Sequence, residues 1–526
     1  MAEAAASPPG PGLDVGLGYA TRAGRWVVAA TVLGSGMASL DATVVGIALP
    51  TIGRQFGTGL ADLQWVVTAY ALTLAGLLLV GGGLGDRYGR RSVFVLGAVW
   101  FALASLACGL APSAAVLILA RAFQGAGAAL LTPGSLAILQ ATFAPEDRSK
   151  AIGAWSGFGG VATAVGPFLG GWLISAVSWR LIFFINLPVA AAVVAISARH
   201  VPESRNPTAA GRLDGAGAAL VTCGLVGVVF GLIEGPGWGW GAPPTVVSVG
   251  GGAVLLAAFF VVEARQDNPM LPLALFRARQ FSAANAVTFG VYAALGGALF
   301  LLPIQLQQVS RYSPLQAGSA LLPITALMLA LSARSGALAA RVGPRLQMTA
   351  GPLVAAAGLA LLSRLDASGG YLSQVLPAVA VFGLGLAVTV APLTAAVLAA
   401  APAHHSGIAS AVNNGVARLA GLIAVAVLPV LVGITGSTYR HPDAFAAGFH
   451  LAAWITAAAC AAGGVLAFLT IRDPTPPPPA DQELHCALDA PPLRSARSSR
   501  VGNPARPGLA RTARPRPSPP DRPPGT

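Results

Sequence analysis

The chain has 526 residues, 55% of them hydrophobic and only 10% charged, with a formal net charge of +13. A soluble globular chain carries roughly 25% charged residues, and a mean hydropathy of +0.70 over this length excludes a water-soluble enzyme or binding domain in favour of a polytopic membrane protein. The excess charge is almost all arginine, with Lys150 the only lysine; it collects at the ends of apolar runs and in the tail, where the positive-inside rule accounts for it without any nucleic-acid partner.

Residues 1–22 are rich in Pro, Gly and Ala and lack a basic start followed by an apolar core. They read as a disordered cytoplasmic N-terminus, not a cleaved signal peptide. A membrane span needs about 20 apolar residues. Fourteen such stretches follow, near 25–49, 61–82, 92–111, 114–138, 151–175, 180–198, 214–234, 245–262, 281–302, 314–334, 347–364, 372–399, 407–433 and 447–470. They are too long and too evenly apolar to be outer-membrane strands. With the N-terminus inside, the outer connections hold only Arg54, Arg180, Arg311, Arg364 and Arg440, and the inner ones a far larger set running from Arg22 to Arg345. The inverted arrangement would reverse that bias, so both termini are expected in the cytoplasm of a multi-pass protein of the cell membrane.

The second span ends in GGGLGDRYGRR, where Asp86, Arg87, Arg90 and Arg91 crowd between two apolar runs. Gly82, Leu84, Arg87, Gly89 and Arg91 recur without gaps as Gly336, Leu338, Arg341, Gly343 and Arg345 after the tenth span. Both copies follow the second span of a six-span block, which reads as a duplication. The expected division is a six-helix bundle over 23–199, a linker with two inserted spans over 200–280, a second bundle over 281–470, and a disordered basic Pro/Arg-rich tail over 471–526. The tail arginines suit either anionic headgroups or plain solvation.

GGGLGDRYGRR resembles the loop between the second and third spans of the major facilitator superfamily. LDATVVGIALPTIG (40–53), LARAFQGAGAALLTP (119–133), AVGPFLGG (164–171), WRLIFFINLP (179–188) and SPLQAGSALLP (313–323) are similar to motifs of its drug:proton antiporters with fourteen spans. One departure is Gly46, where that family usually has Asn. The resemblance implies an all-α integral membrane fold of 6+2+6 helices with two pseudo-symmetric bundles. It implies that the loop holding Asp86, Arg87, Gly89 and Arg90 acts as a cytoplasmic gating latch, and that Gly166, Pro167, Gly170 and Gly171 form an antiporter hinge. Physically, Asp86 is able to cap a helix or pair with an arginine across the cavity mouth, whereas Arg90 and Arg91 also serve simply to set topology. The second copy has Ala340 at the place of Asp86, so an acid-dependent latch is one-sided. Pro167 removes a backbone hydrogen bond, and the glycines around it allow close helix contact between the halves; ordinary Gly-rich packing is the plainer reading.

Asp41 is the only acid well inside a span. At 1.5 Å per residue it lies about 24 Å from the inner end of the first span, and Arg121 lies roughly 10 Å from the outer end of the fourth. Both fall in the outer half of a core about 30 Å thick. The two are expected to communicate directly, through water or through Gln124, either as the proton-coupling pair or as a fixed structural ion pair. Desolvation and a neighbouring guanidinium push a carboxyl group's proton affinity in opposite directions, and such a balance suits proton loading and release. Trp155, Gln305, Asn413, Asn414 and Arg418, with Gln124, are candidate cavity residues; interhelical hydrogen bonding is the structural alternative.

Cys108, Cys223 and Cys460 lie in apolar runs and Cys486 in the tail, with no CxxC spacing, so neither a disulfide nor a metal site is expected. His404 and His405 sit in a short loop without a ligand set. No Walker motif and no Ser/His/Asp array suggests an ATPase or another enzyme. The expected activity is proton-driven export of amphipathic drugs or antibiotics, cationic or neutral, by a monomer that uses the proton gradient and no cofactor. The alternatives are an exporter dedicated to one natural product of the host, and, in another class, a non-transporting membrane sensor or scaffold.

Overall fold

The computed structural model describes residues 16–205, 214–266, 271–367, 369–401, 406–436 and 438–473. His404, His405, the tail from residue 474 onward and the first fifteen residues of the expected N-terminal segment lie outside these. Fourteen helices are long and apolar enough to cross a membrane. In chain order they are α1 Arg22–Phe56, α2 Leu60–Tyr88, α3 Arg90–Leu110, α4 Ala114–Thr142, α5 Pro145–Ala176, α6 Leu181–His200, α7 Gly215–Trp238, α8 Pro243–Arg265, α9 Arg279–Gln308, α10 Pro314–Val342, α11 Arg345–Leu362, α12 Tyr371–Ala399, α13 Ser406–Leu431 and α14 Pro442–Thr470.

The helix ends follow from local chemistry. Thr21 caps α1 by accepting the Gly24 N–H at 3.0 Å, and Gly57, at φ +64°, closes it in the left-handed region. Ser313 and Gln316 form a reciprocal capping box in front of α10, with Pro314 in its first turn. Proline recurs inside helices, as Pro50, Pro133, Pro167, Pro303, Pro392 and Pro429; packed spans tolerate this because neighbouring helices re-satisfy the freed carbonyls.

The two halves repeat one pattern of helix pairing. In the first, α1 packs on α5 and α6, α4 on α2 and α3, and α3 on α6. In the second, α9 packs on α13 and α14, α12 on α10 and α11, and α11 on α14. The inserted pair α7 and α8 pack on each other, and α7 also lies on both α2 and α13. Leu72, Leu225, Val229, Ile233, Leu422 and Ala426 form an apolar cluster at that junction, and the Trp65 indole donates to Glu234 at 2.8 Å.

The halves meet through α5 with α10, α2 with α13, and α1 with α9. The cross-half hydrogen bonds among the described residues all lie at the end far from the termini. There the Gln64 amide donates to the Val425 carbonyl at 2.6 Å, Gln307 to Ile47 at 2.9 Å, and the Leu315 N–H to Ser175 Oγ at 3.2 Å. Toward the other end of α5, a side chain added at Gly153, Gly157, Gly159 or Gly160 would meet open space. Among the described residues, the halves are therefore sealed together at one end and leave open space toward the end that carries the termini.

Two expected boundaries shift. Residues 16–21, placed by the sequence in a disordered N-terminus, pack instead: Leu17 bridges to Phe143, and the Tyr19 N–H donates to Asp147 at 2.9 Å. Residues 471–473, placed in the disordered tail, run along the start of α9, where Gln280 and the Arg472 backbone exchange hydrogen bonds of 2.9 and 3.1 Å.

Candidate functional site

Asp41 and Arg121 meet directly in the core of the first bundle, 0% and 1% exposed. An Arg121 Nη1 donates to Asp41 Oδ2 in a short ion pair. Gln124, one turn along α4, bridges the pair: its amide donates to Asp41 Oδ1 at 2.8 Å and its carbonyl accepts from Arg121 at 2.7 Å; fully buried in the first bundle, it is not a cavity residue, which corrects that assignment. Arg121 Nε spends its remaining direction on the Val66 carbonyl at 3.0 Å, and the guanidinium lies over the Tyr70 ring at 4.3 Å. Fully paired in this way, two charges persist at a depth where a lone one would be costly.

Three participants were not singled out from the sequence. Asn186, at the bend that splits α6 into Leu181–Phe184 and Asn186–His200, donates to Asp41 Oδ1 at 3.1 Å. Ser105 accepts from both Gln124 and Asn186, at 2.8 and 3.2 Å. The Cys108 thiol points at the Gln124 carbonyl at 3.6 Å. Asn186 lies inside WRLIFFINLP, and an amide within an apolar run was the available signal. Helices α1, α2, α3, α4 and α6 are thus tied to one carboxylate, enclosed within the first half and not facing the space between the halves.

The charge knot is arranged differently from expectation. Asp86 does not pair across the cavity mouth. It holds Arg90 of its own loop at 2.7 Å, and Arg90 reaches the Ala137 carbonyl of α4 at 3.4 Å. Arg87 lies against the Tyr88 ring. The start of α3 is instead covered by Glu203, three residues past the end of α6. Its carboxylate accepts the Arg91 and Ser92 N–H groups, each at 3.1 Å, and the Ser92 hydroxyl. Gly89 sits at φ +119°, and a Cβ there would press on the Glu203 carboxyl at 2.7 Å. Burial pushes the Glu203 carboxyl up, but the Ser92 hydroxyl and the surrounding backbone N–H groups outweigh it and hold the group below the usual glutamate range.

The second half repeats this device. Gly343 sits at φ +88°, and Asp473, three residues past the end of α14, accepts the Arg345 N–H at 2.9 Å. The echo noted between the two loops therefore has a structural counterpart, except that the acid–arginine pair of Asp86 and Arg90 is replaced by Ala340 and Pro344.

The antiporter-type stretch of α5 lies at the seal. Gly166 and Gly170 back onto Thr43 and Val44 of α1, while Gly171 abuts the Pro314 carbonyl and Gly318 the Pro167 carbonyl, these last two too closely for a Cβ. Glycine is required here because two backbones from opposite halves touch.

The other candidates disperse. Trp155 donates to Ser35 at 2.8 Å, and Ser35 donates in turn to Ser135 at 2.6 Å, a link within the first half. Gln305 is fully buried near the Leu365 carbonyl, away from any open space, and its position corrects the cavity assignment. Asn413 is held by Asn285 and Thr288 at 3.2 and 2.7 Å. Asn414 is exposed. Arg418, half-buried, makes no hydrogen bond at Nε.

The family model for the Major Facilitator Superfamily matches residues 31–425. The chain is 36% identical over 403 residues to the tetracenomycin C resistance and export protein of Streptomyces glaucescens, covering 77% of this chain and 75% of the relative. It is 38% identical over 401 residues to multidrug resistance protein Stp of Mycobacterium tuberculosis, with 76% and 74% covered. The puromycin resistance protein pur8 of Streptomyces alboniger is 38% identical over 409 residues, with 76% and 80% covered. Among solved structures, a peptide transporter of the POT type in complex with sulfate superposes with a TM-score of 0.62 at 16% identity, covering 86% of this chain and 96% of that one; at that identity the likeness concerns the fold alone.

Proposed function

We propose that this chain, which belongs to the Major Facilitator Superfamily, exports amphipathic drugs or antibiotics in exchange for protons by alternating access. It is a multi-pass membrane protein and a transporter, not an enzyme. The export reading rests on relatives named for resistance to and export of such compounds. The single observation that carries proton coupling is the Asp41 carboxylate, buried mid-bundle against Arg121 with two amides.

The chemistry runs as follows. Deprotonated Asp41 accepts from Arg121, Gln124 and Asn186 and binds α1 to α4 and α6. Protonation at an Oδ neutralises the carboxylate and turns one acceptor into a donor. It also leaves Arg121 with only Gln124, the Val66 carbonyl and the Tyr70 ring. The local helix packing then has two states that differ by one proton, which is what a coupled exchanger needs. In this reading the sealed end is the outer face of the cell membrane, both termini are cytoplasmic, the open end faces inward, and the protein works as a monomer on the proton gradient with no cofactor.

The test is efflux from inverted vesicles under an imposed pH gradient, comparing wild type with Asp41→Asn. Gradient-driven transport abolished in a correctly inserted variant supports the reading; transport that keeps its gradient dependence returns Asp41 to a structural role. A second reading, an exporter dedicated to one compound made by the host, is favoured by relatives named as the tetracenomycin C exporter and a probable actinorhodin transporter. It predicts that a broad compound panel yields one substrate.

A further inference from the structure

Arg418 is a mid-membrane cation without an anion. It stands halfway along the 26-residue α13, about 18 Å from either end at 1.5 Å per residue, too deep to reach an interface. Among the described residues no ion pair includes it, and its buried Nε has no hydrogen-bond partner. The groups its charge acts on are Tyr70 of α2 and Tyr292 of α9, one from each half.

The acids that might compensate it are committed elsewhere. Asp41 belongs to Arg121, Asp86 to Arg90, Glu234 accepts from Trp65, and Glu263 accepts the Leu271 N–H. A guanidinium at this depth is normally paired or faces a water-filled space. Its place in the fold says which. Two turns further along α13, Val425 and Ala426 are sealed by Gln64. One turn closer to it, Gly421 and Gly296 bring the α13 and α9 backbones into contact. On the other side, one turn toward the open end, Asn414 is exposed. Arg418 is therefore at the blind end of the opening between the halves.

We propose that Arg418 is the anchor for the transported compound, and that the compound is an organic acid: an apolar body carrying one carboxylate or comparably acidic group. The anion would sit on the guanidinium fork, with the apolar body toward the open end. This rests on the export function proposed above and narrows its cargo, replacing the cationic or neutral class expected from the sequence. No unpaired acid among the described residues of this region is available to hold a cation.

The experiment measures binding to the purified full-length protein by intrinsic fluorescence and thermal shift. The probes are pyrenebutyrate, dansylglycine and naphthylacetate, each beside its own methyl ester. Wild type should bind at least one acid about tenfold or more tightly than its ester, as expected for a hydrogen bond to a charged group. Arg418→Gln should erase that difference while leaving ester binding unchanged, and Arg418→Lys should keep part of it, since the charge stays and the planar fork is lost. If no acid in the panel outbinds its ester, the proposal falls. It falls equally if a folded Arg418→Gln protein keeps the preference. Should Arg418→Gln not fold, the wild-type comparison and Arg418→Lys still decide. Gradient-driven efflux of the esters without acid preference would overturn the anchor and spare the export reading; acid preference without any gradient-driven transport would do the reverse.

Discussion

The two halves share one frame and distribute charge in opposite ways. In the first, a carboxylate and a guanidinium are buried together: Asp41 accepts from Arg121, Gln124 and Asn186, and Ser105 accepts from both amides. In the second, the buried polar groups among the described residues are neutral amides and hydroxyls such as Asn285 and Thr288, and no ion pair among those residues includes the mid-span Arg418. Paired charge ties helices together, whereas an unpaired cation leaves a charge that an outside group could meet. On the proposals above, energy coupling would fall to the first bundle and cargo recognition to the second.

The hardest blow to that contrast is Arg121→Leu. It strands a buried carboxylate, and breaking a buried pair by removing one partner costs about 3–5 kcal/mol. A large fall in Tm in detergent is expected, whereas Arg418→Leu should leave Tm unchanged or raise it, because no partner is stranded. Equal losses would mean that both arginines are structural. Next comes the seal. Gly318→Ala places a Cβ against the Pro167 carbonyl, and overpacking of this kind costs about 1–3 kcal/mol. The expected outcome is a shift toward the state in which that end is open, read as a longer distance between spin labels on α5 and α10; an unchanged distance would remove these glycines from the seal.

A smaller effect sharpens the symmetry. Glu203→Gln and Asp473→Asn each weaken a cap on an equivalent helix, at about 1 kcal/mol. Because the Glu203 carboxyl is held below its ordinary range, its contribution is complete above the ordinary glutamate pKa of about 4.3 and fades as pH falls through the lower folded value. Melting curves below about pH 4.3 should therefore lose part of their acid dependence in Glu203→Gln. The smallest stability change belongs to Asp86→Asn, about 0.3–0.5 kcal/mol for a loop pair one helical turn apart. Turnover that slows far more than stability falls would give Asp86 the gating role its motif implies.

Much of this was legible in the chain. Span lengths set the architecture, and simple rise-per-residue arithmetic put Asp41 and Arg121 at one level. The doubled loop was visible as a spaced set of glycines and arginines. Asn186 and Ser105 were not found: an amide in an apolar run is a signal, but it does not name its partner, and a hydroxyl in such a run is too common to stand out. Glu203 and Asp473 were missed for a related reason: each lies more than a hundred residues from the helix it caps. Arg418 was named from its sequence, but its lack of an anion is a property of its surroundings and only the packed structure reveals it.

The inserted pair has a mechanical consequence. Helix α7 touches both halves, through α2 and α13, which at first sight would splint them together. Yet its bond to Trp65 lies one residue from Gln64, which closes the sealed end. A body fastened beside a fulcrum sweeps a short arc while the far ends of the levers swing wide. If the halves rock as proposed, two extra helices would ride there without braking the stroke.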